Sequence, residues 1–486
     1  MLRKTFYLLP IVIAMLHWAG AAAQSQRGSG EIAALQGMVS SKAEGQMEGV
    51  LVSAKKEGGT ITVTVVSDSQ GRYRFPANRL EPGKHRLSIR AAGYDLASAS
   101  EIAISPNKTA QLDLTLAETK DLASQLMNAE WLMSVEKTGK GKQHLEKLSC
   151  VGCHSLTRLF TSKHSAESWV AVLDRMRTYG QGGRKLPFPV RPSAPDREFA
   201  QFLSSINLSS GGKYAYELHT LPRPKGRATR VVITEYDLPD KTSEPHEVLV
   251  APDGMIWYAD FVRPNIVKMD PATGKFTEYR LPDLKAGFPA GSNCFEIDTE
   301  GNLWLAGLKQ GGAFKFDRKT EKITSWRLPF SDSAYSHAGC LVVSPDGSVW
   351  VRETGSGGTS VQYEHRLDPK TGQFTNYVPF PDDMTIIPTK NRHPQGIGYL
   401  GGGLGDLSYE EEGAKRSRHQ LYGSSIDSKG IYYLADIGAG YIVKINPETK
   451  AVTLYETPTP NSGPRRMDMD SQDRLWFAEY RAGKIG

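Results

Sequence analysis

One pattern leaves this chain little freedom of fold: a strand that returns five times. Ile233-Thr234-Glu235-Tyr236, Phe276-Thr277-Glu278-Tyr279, Ile323-Thr324-Ser325-Trp326, Phe374-Thr375-Asn376-Tyr377 and Val452-Thr453-Leu454-Tyr455 all run from an apolar residue through threonine to an aromatic. Four of the five follow a turn built on Asp270-Pro271, Asp317, Asp368-Pro369 or Asn446-Pro447. A second strand recurs as Pro252-Asp253-Gly254-x-x-Trp257, Gly301-x-x-Trp304, Pro345-Asp346-Gly347-x-x-Trp350, Gly430-x-x-Tyr433 and Asp473-x-x-Trp476. Short strands and polar turns repeating every 40 to 50 residues or so bury their faces only against neighbouring copies, which is the physics of β-propeller blades. The last copy, Trp476 to Gly486, is half a repeat, so the expected propeller is C-terminally incomplete.

The fourth repeat carries an insertion, roughly Pro381 to Gln420, rich in glycine and charge and expected to overhang one face of the ring. Within it Gly396-Ile397-Gly398-Tyr399-Leu400-Gly401 spells a dinucleotide fingerprint. It neither follows a strand nor opens a helix of a βαβ unit, so it reads as loop glycine. Cys294 and Cys340 hold equivalent places in adjacent repeats. They are expected as a free buried pair rather than a disulfide, because inner strands of neighbouring blades often stand too far apart for a bridge.

Upstream the rhythm differs twice. Residues 35–116 read as short alternating strands broken by Asp68-Ser69-Gln70-Gly71 and Pro82-Gly83, the pattern of a small all-β sandwich. From Asp121 to Leu208 the period turns helical. Trp169, Val172, Leu173 and Met176 share one face, and Phe199, Phe202, Leu203 and Ile206 another, with Ser165 placed to cap the first helix and Ser193 or Asp196 the second.

Just inside the helical segment stands Cys150-Val151-Gly152-Cys153-His154. Two thiols at this spacing attach to the vinyl groups of a haem, and the following histidine ligates its iron. Of four cysteines two are thus committed, which excludes a disulfide scaffold. An export signal supports the reading: Arg3 and Lys4, an apolar run from Phe6 to Trp18, then Ala21-Ala22-Ala23, with cleavage expected after Ala23. The expected location is periplasmic or secreted, with no integral membrane domain after cleavage. A net charge of +6 spread among 53 acidic residues makes no basic stripe, which excludes nucleic acid as a partner.

Three resemblances follow. Gly37-x-Val39, Asp68-x-x-Gly71-x-Tyr73-x-Phe75, Pro82-Gly83-x-His85-x-Leu87 and Ala92-Gly93-Tyr94 resemble the carboxypeptidase regulatory-like, prealbumin-like domain, which implies a non-catalytic spacer or adhesion module. The helical segment resembles a minimal class I cytochrome c domain. That implies one covalent haem c on Cys150 and Cys153, His154 as proximal ligand, and Met176 or, as its rival, His164 on the other side of the iron. The blades resemble the virginiamycin B lyase (streptogramin lyase) propeller. That family opens a cyclic depsipeptide by elimination, using histidines that follow a proline, an acid three residues after a blade tryptophan, and magnesium.

Pro245-His246 and Asp260 fit that pattern in the first blade and make His246 and Asp260 weak catalytic candidates. At the slot of His246 the other repeats place Asn293, Gly339, Tyr422 and Arg465. Glu353 and Glu479 keep the acid without the histidine, His337 is displaced, and His393 belongs to the insertion. The pattern does not amount to a complete lyase site.

The expected architecture is multidomain: a signal peptide over 1–23, an all-β sandwich over 24–118, a small all-α cytochrome c-like domain over 119–212 and a β-propeller over 225–486. The expected function is haem electron transfer, with the propeller binding a redox partner protein or small-molecule substrate in a haem-dependent oxidoreductase arrangement. A magnesium-dependent lyase and a non-catalytic binding protein are the alternatives.

Overall fold

The computed structural model describes residues 33–98, 100–136, 155–176, 178, 197–208, 212–288, 290–331, 337–354, 362–377, 386–387, 417–418 and 421–486. The export signal, the Cys150 to His154 motif, Ser193 and Asp196, the Gly396 to Gly401 run and His393 lie outside them.

Alternating apolar residues produce ten strands in the first segment. They are β1 (Ala33–Ser41), β2 (Gly45–Gln46), β3 (Leu51–Lys56), β4 (Ile61–Val66), β5 (Arg72–Pro76), β6 (Gly83–Arg90), β7 (Tyr94–Leu96), β8 (Glu101–Ile104), β9 (Ala110–Gln111) and β10 (Leu114–Glu118). One sheet is built on β1, which pairs with β2, β5, β9 and β10, while β7 extends it beyond β10. The other runs β4-β3-β6-β8. Leu35, Val39, Val52, Phe75 and Leu114 fill the space between them with no solvent exposure. Gly71 makes the expected turn at φ 71°; a Cβ there would stand 2.6 Å from the Val39 carbonyl oxygen, so glycine is required twice over.

The first copy of the repeated strand, β11 (Val232–Tyr236), corrects the sequence reading. It pairs with no blade but adds antiparallel to β4, with Thr234 opposite Val63. On that side β4 has no other partner, and an open row of backbone N–H and C=O groups takes up a strand of matching pattern. The Asp237 N–H donates to the Thr60 carbonyl at 2.8 Å and a Lys55–Asp237 ion pair closes the joint. Tyr236 Oη then donates to the Pro271 carbonyl at 2.8 Å, tying the sandwich sheet to the first blade.

Five described helices follow: α1 (Leu122–Gln125), α2 (Asn128–Glu136), α3 (Leu156–Phe160), α4 (Ala166–Met176) and α5 (Arg197–Ile206). Trp131 of α2 stacks on Phe160 of α3 at 4.7 Å, and Trp169, Phe199, Phe202, Leu203 and Ile206 complete one core. Ser165 Oγ accepts the Ser168 N–H at 3.3 Å, the expected cap. No helix among the described residues is long and apolar enough to cross a membrane.

Four four-stranded antiparallel sheets and a three-stranded one form the propeller. Blade 1 is β12 (Pro245–Val250), β13 (Ile256–Asp260), β14 (Asn265–Asp270) and β15 (Lys275–Arg280). Blade 2 is β16 (Ser292–Ile297), β17 (Leu303–Gly307), β18 (Gly312–Asp317) and β19 (Lys322–Arg327). Blade 3 is β20 (His337–Val343), β21 (Val349–Thr354), β22 (Gln362–Asp368) and β23 (Gln373–Tyr377). A two-residue ladder, β24 (Ile386–Ile387) with β25 (Ser417–Arg418), joins two points of the insertion. Blade 4 is β26 (Leu421–Ile426), β27 (Tyr432–Asp436), β28 (Tyr441–Ile445) and β29 (Val452–Glu456). Blade 5 is β30 (Pro464–Met469), β31 (Leu475–Glu479) and β32 (Lys484–Ile485).

Asp270, Asp317, Asp368 and Asn446 each accept the backbone N–H two residues on, the turn their side chains predict. Aromatic contacts join the blades: Trp257 lies 5.4 Å from Phe316, and Trp350 stacks on Tyr432 at 4.5 Å. Trp304, between two blades, is 2% exposed; Trp476 of blade 5 is 51% exposed and Val248 of blade 1 is 66% exposed.

Candidate functional site

The five inner strands β12, β16, β20, β26 and β30 stand side by side around the axis and break register at one shared place. Pairing slips between Pro245 and Glu247, Ser292 and Cys294, Ala338 and Leu341, Leu421 and Ser424, and Pro464 and Met467. Each slip is a β-bulge, the device by which a sheet re-aims a side chain at its rim. The residues in these bulges are His246; Asn293; Gly339 and Cys340; Tyr422 and Gly423; and Arg465 and Arg466.

Side chains from these bulges form one continuous network. His246 Nδ1 lies 3.2 Å from Glu247 Oε1, and the His246 ring stacks on Phe261 at 4.7 Å. Arg466 Nη2 crosses from blade 5 to donate to the same Glu247 oxygen, and its Nη1 stands 3.7 Å from Cys340 Sγ. Burial pushes the Glu247 carboxyl up, but the hydrogen bond from His246 and the Arg466 charge outweigh it and hold the carboxyl below its usual value. Tyr422 packs against both arginines, 4.5 Å from the Arg465 guanidinium and 5.4 Å from that of Arg466. Arg352 donates to the Tyr422 carbonyl. It reaches that point over Gly339, where a Cβ would stand 2.6 Å from the Arg352 Nε.

Cys294 and Cys340 correct a second expectation. They form a disulfide, with their Cα atoms 5.0 Å apart. The free-pair reading took the inner strands of neighbouring blades to stand too far apart; next to the two bulges β16 and β20 in fact come within bonding distance.

The two catalytic candidates are not brought together. Asp260 is fully buried, and its Oδ1 accepts the N–H groups of Val262 at 3.0 Å, Arg263 at 2.9 Å and Glu244 at 3.3 Å. The carboxylate that meets His246 is Glu247. Asp436 at the corresponding place in blade 4 likewise accepts the Ala439 N–H at 3.0 Å, so the acid after the blade tryptophan closes a turn. Glu353 instead accepts from the Phe330 N–H at 3.1 Å and pairs with His365 at 2.9 Å, whose other nitrogen meets Asn376 at 2.8 Å.

Of the haem candidates, Met176 and His164 are described. Met176 ends α4 with 39% exposure and stands outside the helical core, so the apolar face predicted for it stops at Leu173. His164 packs edge-on against Trp169 at 5.1 Å, and its carbonyl accepts from Asn207 at 3.0 Å.

Sequence reasoning missed Glu247, Arg466 and the Glu353–His365–Asn376 chain. The slot comparison did contain a signal: Tyr422 and Arg465 were read as missing histidines, not as polar residues in their own right. His365 had none, because its partner lies on the neighbouring strand.

Sandwich, helices and propeller define a mostly β multidomain protein with a polar propeller mouth. Residues 34–117 match the family model of the carboxypeptidase regulatory-like domain. None of the curated proteins matches the chain. Among solved structures the chain is similar to a virginiamycin B lyase from Staphylococcus aureus crystallised with quinupristin, at 17% identity and TM-score 0.38 over 53% of this chain and 70% of that one. It is similar to a streptogramin B lyase at 19% identity and TM-score 0.38, over 53% and 68%. A gluconolactonase from Xanthomonas campestris matches at 12% identity and TM-score 0.30, over 49% and 70%.

Proposed function

We propose that this chain is an exported electron-transfer protein in which haem c, held by Cys150, Cys153 and His154, serves one-electron chemistry while the propeller binds a substrate or partner. The C-x-x-C-H run carries the reading, because its donor set fits covalent haem in type, number and spacing. The chain that resumes just past the motif is anchored in the helical core. The Leu156 N–H donates to Asn128 Oδ1 at 2.8 Å and Trp131 Nε1 to Thr157 Oγ1 at 3.1 Å, so the chain just past the motif is fastened to α2. Met176, 39% exposed at the end of α4, is the proposed axial ligand, with His164 its rival. Bound haem would supply a one-electron couple; the protein's part is to hold it and to bind what exchanges electrons with it. Linking the two domains as an oxidoreductase rests on their sharing one chain, which is an argument by analogy.

The test is to express the exported chain in a host competent for cytochrome c maturation and record a pyridine haemochrome spectrum beside the Cys150→Ser, Cys153→Ser variant. A c-type spectrum lost in the variant is expected. A folded, matured chain with no such spectrum overturns the proposal.

A second reading, a depsipeptide lyase, is favoured by one observation: His246, fixed through Nδ1 by Glu247, leaves Nε2 to act as a base. Among the described residues no group of three His, Cys, Asp or Glu side chains is arranged to hold a metal. Opening of a cyclic depsipeptide by the haem-free chain, lost in His246→Ala, would support this reading over the first.

A further inference from the structure

Most described arginines of the blades meet an acid. Arg263 pairs with Glu278, Arg318 with Asp253, Arg366 with Asp346 and Arg466 with Glu247. Arg465 differs, meeting no carboxylate among the described residues. Its guanidinium is half-buried between two tyrosine rings, 4.5 Å from Tyr422 and 4.8 Å from Tyr480, and Nη2 donates to Tyr422 Oη at 2.8 Å. Two close ring contacts and one anchored nitrogen restrain the fork before any ligand arrives. Its remaining N–H groups lie in the guanidinium plane, where only an in-plane acceptor satisfies them.

The position adds a second argument. Arg465 lies in the blade 5 bulge, the same slot that holds His246 in blade 1, so the fold re-aims it as it re-aims that histidine. The Tyr422 that holds it is itself held by Arg352 through its carbonyl. A guanidinium set in place this way, without an internal anion, presents its remaining N–H groups to a two-oxygen acceptor, which a carboxylate matches as a bidentate pair.

We infer that Arg465, held between Tyr422 and Tyr480, forms a binding site for a carboxylate ligand at the mouth of the propeller. Two N–H groups of the fork meet the two carboxylate oxygens, and the tyrosine rings flank the ligand's first carbons. The inference rests on the propeller half of the proposed function, that this ring binds a ligand, and is independent of haem.

The test is calorimetric titration of the full chain with sodium succinate and, separately, inorganic phosphate at low ionic strength, before and after haem maturation. Succinate is expected to bind, and Arg465→Gln to weaken it by about tenfold or more. Arg465→Lys, which keeps the charge over the rings but loses the fork, is expected to weaken it comparably and carries the test if Arg465→Gln melts below the wild-type chain. Unchanged affinity in the folded variant, no binding of succinate at about 10 mM, or tighter binding of phosphate overturns the inference. Succinate binding that survives both variants leaves the propeller a ligand-binding unit with its site elsewhere. A failed haemochrome test leaves the Arg465 result standing.

Discussion

At the scale of single residues the propeller holds charge where water cannot reach it. Glu364 is fully buried; Tyr432 donates to it at 2.9 Å and Arg352 Nε stands 3.9 Å away. Removing one member of such a set leaves the other charge uncompensated. Arg352→Met is therefore expected to cost about 3–5 kcal/mol in urea unfolding, and Glu364→Gln less, because burial already pushes the Glu364 carboxyl up to about 7 and the amide keeps an acceptor for Tyr432. Glu296 gives a pH dependence. It is exposed along the axis, yet the surrounding protein strips enough water, with repulsion from Asp468 and Glu247 adding to the effect against the pull of Arg466, to push its pKa from 4.5 up to about 7. The folded chain then binds more protons than the unfolded one between pH 4.5 and about 7, so this group's contribution falls as pH rises through that window. Glu296→Gln is expected to melt higher than wild type at pH 8 and at nearly the same temperature at pH 4, by differential scanning calorimetry. Equal melting at both pH values would contradict the assignment.

At the scale of elements, what the sequence made legible was local. The Asp270, Asp317, Asp368 and Asn446 turns, the blade tryptophans and the Gly71 turn all depend on neighbours a few residues away, and all stand where the pattern put them. What it hid was non-local. Pairing of β11 with β4 depends on an edge more than a hundred residues upstream, and a repeat pattern alone assigns that strand to the propeller. Val63→Cys with Thr234→Cys, opposite each other in this register, is expected to form a cross-link found by peptide mapping; its absence after oxidation would return β11 to a blade. The Cys294–Cys340 bond was hidden for the same reason, since bulges set how close two inner strands come and no spacing in the chain reports it. Reduction, or Cys294→Ser with Cys340→Ser, is expected to lower stability by about 2–4 kcal/mol.

At the scale of the whole molecule, the three segments are fastened together. Glu130 of α2, buried, accepts from Arg90 of the sandwich at 3.2 Å and from the Leu221 N–H of the segment leading to the propeller at 3.0 Å. Arg223 of that same segment pairs with Glu44 of the sandwich, and β11 completes the joint to blade 1. The sandwich is thus joined to the propeller both through the segment at 221–223 and through β11. The candidate site was half legible: His246 carried the proline-histidine signature, whereas Glu247, Tyr422, Arg465 and Arg466 become one network only when five bulges bring five distant strands to one axis. The Cys150, Cys153 and His154 run lies outside the described residues, so the haem proposal rests on local sequence spacing alone.

The most direct test of the account is the intact mass of the full chain purified from the exported fraction of a host competent for cytochrome c maturation. The account predicts the mass of the chain cleaved after Ala23 plus one covalently bound haem. The mass of the cleaved chain alone, from a preparation that is folded and was exported beside a control cytochrome that did mature, would contradict it.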